Sequence, residues 1–196
     1  MNELVRQQLR MGIATLQRTL ADDALVDSVA RAAEATAEAM QRGNKLMIAG
    51  NGGSAADAQH LSAEFVARLT VDRPALRCIA LTTDSSAMTA IGNDYAFDRL
   101  FSRQIEAIGT RGDLFLGIST SGNSPNILKA LELSRDMGIT TVGFSGNRGG
   151  KMADLCDYNI IVPSETTMHI QESHIALEHI FCMIVERCYF GPTFGQ

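Results

Sequence analysis

Four times along this chain a short, almost wholly apolar run stops at a cluster of small polar residues and gives way to a helical pattern. Lys45-Leu46-Met47-Ile48-Ala49 leads into Gly50-Asn51-Gly52-Gly53-Ser54, and Arg77-Cys78-Ile79-Ala80-Leu81 into Thr82-Thr83-Asp84. Leu114-Phe115-Leu116-Gly117-Ile118 leads into Ser119-Thr120-Ser121-Gly122-Asn123-Ser124, and Thr140-Thr141-Val142-Gly143-Phe144 into Ser145-Gly146-Asn147. A fifth run, Tyr158 to Val162, ends at Pro163. Strands so uniformly apolar have no solvent face, and the helical lengths between them rule out hairpin pairing. The expected fold is therefore α/β, three layers, with a parallel sheet covered on both faces. Leu4, Leu9, Ile13, Leu16 and Leu20 predict a leading helix, and Asp22-Asp23 restarts a second through Leu25, Val29, Ala33 and Met40 that Gly43 ends. A last helix is expected from about Met168 to Tyr189.

At 196 residues and 45% hydrophobic content, the chain reads as one domain with ample apolar surface to bury. Seventeen basic against 22 acidic residues leave a net charge of -5, with no run of Lys or Arg to neutralise a row of phosphates, so nucleic acid is not an expected partner. Cys78, Cys156, Cys182 and Cys188 form no C-x-x-C pair, and reduced thiols in a cytoplasm are the simplest reading. Nothing in Met1 to Gln7 has the apolar core of a signal peptide. Ile175 to Phe190 is interrupted by Glu178, His179, Glu186 and Arg187, which predicts a core or interface helix and no membrane span.

Ligands of such sheets bind outside the carboxyl ends of the strands, where the Gly/Ser/Thr/Asn loops fall. Ser119 to Ser124 offers hydroxyls, free amides and a helix N-terminus with Pro125 in its first turn, a combination suited to a phosphate monoester. The plainer alternative is that Ser124 merely caps the helix. Gly50-Asn51-Gly52-Gly53-Ser54-Ala55 satisfies G-x-G-x-x-A, yet the next acid at a strand end, Asp84, lies too far on for a ribose partner. A sugar- or phosphate-contacting loop is the better reading. His60 and Glu64 share a helix face, with Asp57 and Arg68 a turn away on either side, as a half-site for a divalent metal or as a surface pair. Three of the four histidines, His169, His174 and His179, fall within eleven residues of a helix whose apolar content predicts burial. For His169 and His174 a structural or exposed role is expected. Gln171 and His179, eight positions apart, would be separated by roughly 12 Å on one helix. Either that helix starts after Gln171, or two subunits contribute to a shared site.

Taken together, Gly50 to His60, Glu64, Gly92-Asn93-Asp94, Ser119 to Ser124 and Gln171-Glu172-Ser173-His174 resemble the sugar-isomerase (SIS) domain family, in the branch that acts on seven-carbon sugar phosphates. The resemblance spans nearly the whole chain, 1–196, as a single SIS domain, with the helical segment of about 1–43 packing in an oligomer. It implies a flavodoxin-like five-stranded parallel sheet and a homotetramer with active sites between subunits. The implied reaction converts D-sedoheptulose 7-phosphate to D-glycero-D-manno-heptose 7-phosphate, the first step towards the heptose of lipopolysaccharide core. By the same resemblance Asn51, Gly52, Gly53, Ser54, Glu64, Asn93, Asp94 and Gln171 contact substrate, and Ser119, Thr120, Ser121 and Ser124 hold its phosphate. His60, Glu64, Gln171 and His179 match positions that bind one zinc ion per subunit, and Glu64 and His179 match the acid–base pair.

The residue types suit that chemistry. Moving a carbonyl between C2 and C1 requires a base at carbon and an acid at oxygen, here Glu64 and His179, while zinc would polarise the carbonyl. A side chain fully committed to a metal is a poor proton carrier, so catalytic, structural and partly inhibitory roles for the ion all remain compatible with these residues. Three rivals stand beside this reading: a non-catalytic SIS-domain protein that senses a phosphosugar or binds the replication initiator, an isomerase for another sugar phosphate, and a nucleotide-dependent oxidoreductase. Glu64 and His179 together favour the isomerase over the first.

Overall fold

A computed structural model describes residues 1–191 and 194. The five apolar runs become five strands: β1 (Leu46–Gly50), β2 (Cys78–Ala80), β3 (Leu114–Ser119), β4 (Thr140–Gly146) and β5 (Tyr158–Val162). All neighbouring pairs are parallel, in the order β2-β1-β3-β4-β5. Every residue of β1 and β3 is buried, as strands covered on both faces must be. Alternate side chains go to opposite layers. Leu46, Ile48, Leu114 and Leu116 join α2 (Asp23–Gln41), α3 (Gly53–Val66) and α7 (Thr167–Phe190) in one core. Met47, Ala49 and Phe115 join α5 (Leu100–Ile108) and α6 (Pro125–Met137) in the other. A further helix, α4 (Ser85–Asp94), follows β2.

Strand β2 departs from expectation. It is three residues long and Ile79 is 40% exposed, as befits an edge strand with a neighbour on one side only. The leading helix, α1 (Asn2–Leu20), meets α7 but leaves Leu4, Leu9, Ile13, Leu16 and Leu20 exposed. Helix α2 differs: its Leu25, Val29, Ala33 and Met40 belong to the domain's own core. Among the described residues no helix is long and apolar enough to cross a membrane.

The order of the sheet positions the site. β2 lies on one side of β1 and β3 on the other, so the chain leaves neighbouring strands β1 and β3 at the point where the winding direction reverses. The two glycine- and serine-rich loops therefore emerge side by side.

Candidate active site

At that reversal the loop after β1 is pinned to the start of α6. Asn51 Nδ2 donates to Asn126 Oδ1 at 2.9 Å and Asn126 Nδ2 returns a bond to Asn51 Oδ1 at 2.7 Å. Asn126 was not among the residues expected to matter, although an amide in the first turn beyond a ligand loop is a signal for it. On the β3 side the hydroxyls converge: Ser119 Oγ lies 2.8 Å from Ser124 Oγ and 3.5 Å from Ser121 Oγ, whose oxygen also accepts from the Asn123 amide at 3.2 Å. Ser124 occupies the N-cap position of α6 without making a side-chain cap bond, so the plain capping role is overturned and its hydroxyl belongs to the serine cluster. Gly122 takes φ +64° with the backbone of Gly149 against it, where any Cβ would collide. This folds the loop tightly onto the turn after β4.

Helices α3 and α7 run alongside each other, and polar contacts join them in register. Gln171 Nε2 donates to Asp57 Oδ2 at 3.1 Å. One turn further along α3, His60 Nε2 lies 2.8 Å from His179 Nε2, with the rings edge-on, and 3.5 Å from Glu64 Oε1. One ligand atom from each of His60, Glu64 and His179 falls within 4.8 Å of the others. Two imidazole nitrogens and a carboxylate oxygen are the donor set zinc favours. Nitrogen donors on a tetrahedral ion stand about 3.3 Å apart, so the His60 and His179 nitrogens, 2.8 Å apart, need to part by only about half an ångström to hold one. The residues present therefore fit the ion. Next to His179 on α7, Glu178 is fully buried with neither carboxylate oxygen paired among the described residues, and burial, then the charge of Asp57, pushes its pKa up to about 8. Burial likewise raises Asp57, against the opposing bond from Gln171 and charge of His60.

Helix α7 begins at Thr167, so Gln171 and His179 share one helix and the alternative of a later start is excluded. The Gln171 side-chain amide is directed to Asp57 on α3. Ser54 is buried in the first turn of α3, and Gly52 and Gly53 lie exposed before it. Asn93 and Asp94 close α4 at the surface and hydrogen-bond each other at 2.8 Å. Thr120 carries the backbone carbonyl that accepts from Gly146. His169 and His174 are buried, the latter facing the Ser145 carbonyl at 3.0 Å. Asp84 is occupied as the N-cap of α4, which removes it as a ribose partner. A cavity of about 510 Å³ between α1 and the β5–α7 loop, lined by Thr15, Arg18, Asn147 and Ser164 among others, holds none of the residues in which chemistry is read.

An open parallel sheet of this winding order, with a hydroxyl-lined loop at its reversal and a His/Glu/His cluster beside it, defines a flavodoxin-like α/β protein equipped for a small phosphorylated ligand. The SIS domain family model matches residues 12–146. The phosphoheptose isomerase of Aneurinibacillus thermoaerophilus is 53% identical over 194 residues, covering 99% of this chain and 98% of that one. The structure of the phosphoheptose isomerase of Neisseria gonorrhoeae superposes with a TM-score of 0.89 at 39% identity, covering 94% of this chain and 98% of that one. The Francisella tularensis enzyme gives 0.90 at 34% identity, covering 94% and 97%. The chain belongs to the SIS domain family and, within it, to the phosphoheptose isomerases.

Proposed function

We propose that this chain interconverts D-sedoheptulose 7-phosphate and D-glycero-D-manno-heptose 7-phosphate by enediol chemistry, supplying the heptose of lipopolysaccharide core. The observation that carries the reading is the juxtaposition, across α3 and α7, of the Glu64 carboxylate with the His179 imidazole beside the paired β1 and β3 loops. Glu64 takes a proton from C1 of the ketose and returns it to C2. His179 gives a proton to the C2 oxygen and accepts one from the C1 hydroxyl. Ser119, Thr120, Ser121 and Ser124, with the amides at the start of α6, hold the phosphate far from the reacting carbons and orient the open-chain sugar. Asn51, Gly52, Gly53, Ser54, Asn93, Asp94 and Gln171 contact its hydroxyls. His60, Glu64 and His179 would hold a zinc ion, with the Gln171 carbonyl oxygen as a further donor because its amide nitrogen is committed to Asp57. When bound, the ion supplies a Lewis acid that polarises the carbonyl and stabilises the enediolate.

The protein assembles as a homotetramer with active sites between subunits. The exposed apolar face of α1, with Leu9 63% and Leu20 77% exposed, supports this. Proton NMR of the enzyme with sedoheptulose 7-phosphate in deuterated water tests the chemistry. The aldose forms with deuterium at C2, and Glu64→Gln lowers turnover by about 10²–10⁴ while KM stays within a few-fold. Normal turnover in that variant removes Glu64 as the base; no turnover by the unaltered protein under any metal condition moves the reading to a phosphosugar sensor.

A further inference from the structure

We propose that Arg73, a buried arginine outside the catalytic cluster, is a positioning residue for Glu64: it grips the backbone carbonyl of Glu64 and ties the end of α3 to α7 through Glu186.

Helix α3 must end one turn after Glu64, and it ends without the usual means. Its C-cap, Ala67, has φ -88° and ψ -89°, so there is no glycine and no left-handed turn, and no basic residue lies in the last turn. The final carbonyls of a helix still need donors, and the negative end of its dipole favours a cation. Arg73 supplies both from the following loop. Its Nη2 donates to the Glu64 carbonyl at 2.6 Å, and its Nη1 to the Phe65 carbonyl at 2.7 Å and, more weakly, to Ala67 at 3.4 Å. Nη1 also reaches the Pro74 carbonyl at 3.2 Å. The remaining donor, Nε, meets Glu186 Oε1 at 2.8 Å. The guanidinium side chain is 0% exposed and that of Glu186 3%, so this is an interior ion pair with nearly every donor assigned.

The far partner makes the clamp relevant to chemistry. Glu186 follows His179 on α7 by seven residues, two turns, and so lies on the same helix face. The face of α7 that presents His179 to Glu64 is thus locked to the end of α3 two turns further on. Between the two points Phe65 and Phe181 pack edge to face, 6.1 Å between centroids. Helix ends fray, and a carboxylate one turn from a frayed end has no defined direction. A planar fork that holds two carbonyls and a carboxylate together prevents this, and lysine, with a single ammonium, cannot reproduce it. Arg73 makes no bond to any side chain of the cluster, so it acts through Glu64's backbone.

The inference rests on reading Glu64 as the base, and the test separates the two. Arg73→Lys, the double variant Arg73→Met/Glu186→Leu, and Glu64→Gln are compared for kcat, KM and Tm, and for affinity of the metal-free protein for zinc alone by chelator competition. In Arg73→Lys, kcat falls about tenfold or more with KM within about twofold, and zinc affinity weakens about tenfold, because the phosphate loop is intact while the base and its neighbours are displaced. The double variant removes both buried charges and so recovers part of the Tm that an unpaired Glu186 would cost, while the α3 carbonyls that Arg73 served stay without their donor. It does not recover kcat. The proposal falls if Arg73→Lys keeps the kcat and zinc affinity of the unaltered enzyme, or if kcat returns together with Tm in the double variant. Should Arg73→Lys fail to fold, the double variant decides alone. Full activity in Glu64→Gln would instead remove the base assignment.

Discussion

His174 shows what burial does to a single titratable side chain. Fully enclosed against the edge of Phe144, it donates from Nε2 to the Ser145 carbonyl while Nδ1 has no partner. Burial drives its pKa down from 6.5 to about 4, against the bond to Ser145 that opposes the shift. A depressed value means the folded protein binds fewer protons than the unfolded chain. The stability associated with His174 is therefore complete above pH 6.5 and is lost as pH falls through 4. Thermal melts across that interval should show a loss of about 2–3 kcal/mol assignable to this ring, and His174→Gln should flatten the dependence. A slope equally steep in the variant would move the acid sensitivity elsewhere. The sequence placed His174 on a buried helix and expected a structural or exposed residue. Which atom it faces depended on the β4 carbonyl, 29 positions away.

At the scale of elements, α3 and α7 meet through Asp57 with Gln171, His60 and Glu64 with His179, and Arg73 with Glu186. The helical spacing of His60 and Glu64, and of Gln171 and His179, was legible from periodicity, because the helix repeat alone sets how side chains on one helix are placed. Their pairing was not, since it depends on how two helices more than a hundred residues apart lie across one sheet layer. Gly53 is the contact that permits it: a Cβ there would come within 2.9 Å of the Gln171 side-chain carbon. Gly53→Ala should therefore push the Gln171 amide aside and break its bond to Asp57, at a cost of about 1 kcal/mol because the displaced group is the end of a flexible side chain. Combining it with Gln171→Ala should restore Tm, measured by thermal melts, without restoring turnover. If the single variant melts like the unaltered protein, the helices have room the structure does not show.

For the molecule as a whole, α1 is the element left over. It lies against α7 while Leu9, Ile13, Leu16 and Leu20 face outward, 63%, 55%, 43% and 77% exposed. Charged substitutions there disturb no contact of the domain core and yet oppose burial by a second copy. Leu9→Glu/Ile13→Glu should keep the far-ultraviolet circular dichroism of the unaltered protein and lower the mass seen by light scattering below a tetramer. Turnover should fall with it where subunits share active sites. An unchanged mass would place the interface on another face.

By itself the sequence determined the class of fold, the five strands to within a few residues and the two loops at their carboxyl ends, because hydrophobic period, apolar run length and loop composition are local properties of the chain, while the residues of an isomerase were legible through the family resemblance. Tertiary structure decided the rest. Strand order brought the β1 and β3 loops together and let Asn51 pair with Asn126 across 75 positions. The path of the β3 loop turned Ser124 from capping into the serine cluster, and burial left Glu178 unpaired and enclosed Arg73 and Glu186 as a pair. Each of these is a contact between distant segments, whose energy depends on distance and solvent exclusion, and neither quantity exists until the chain has folded.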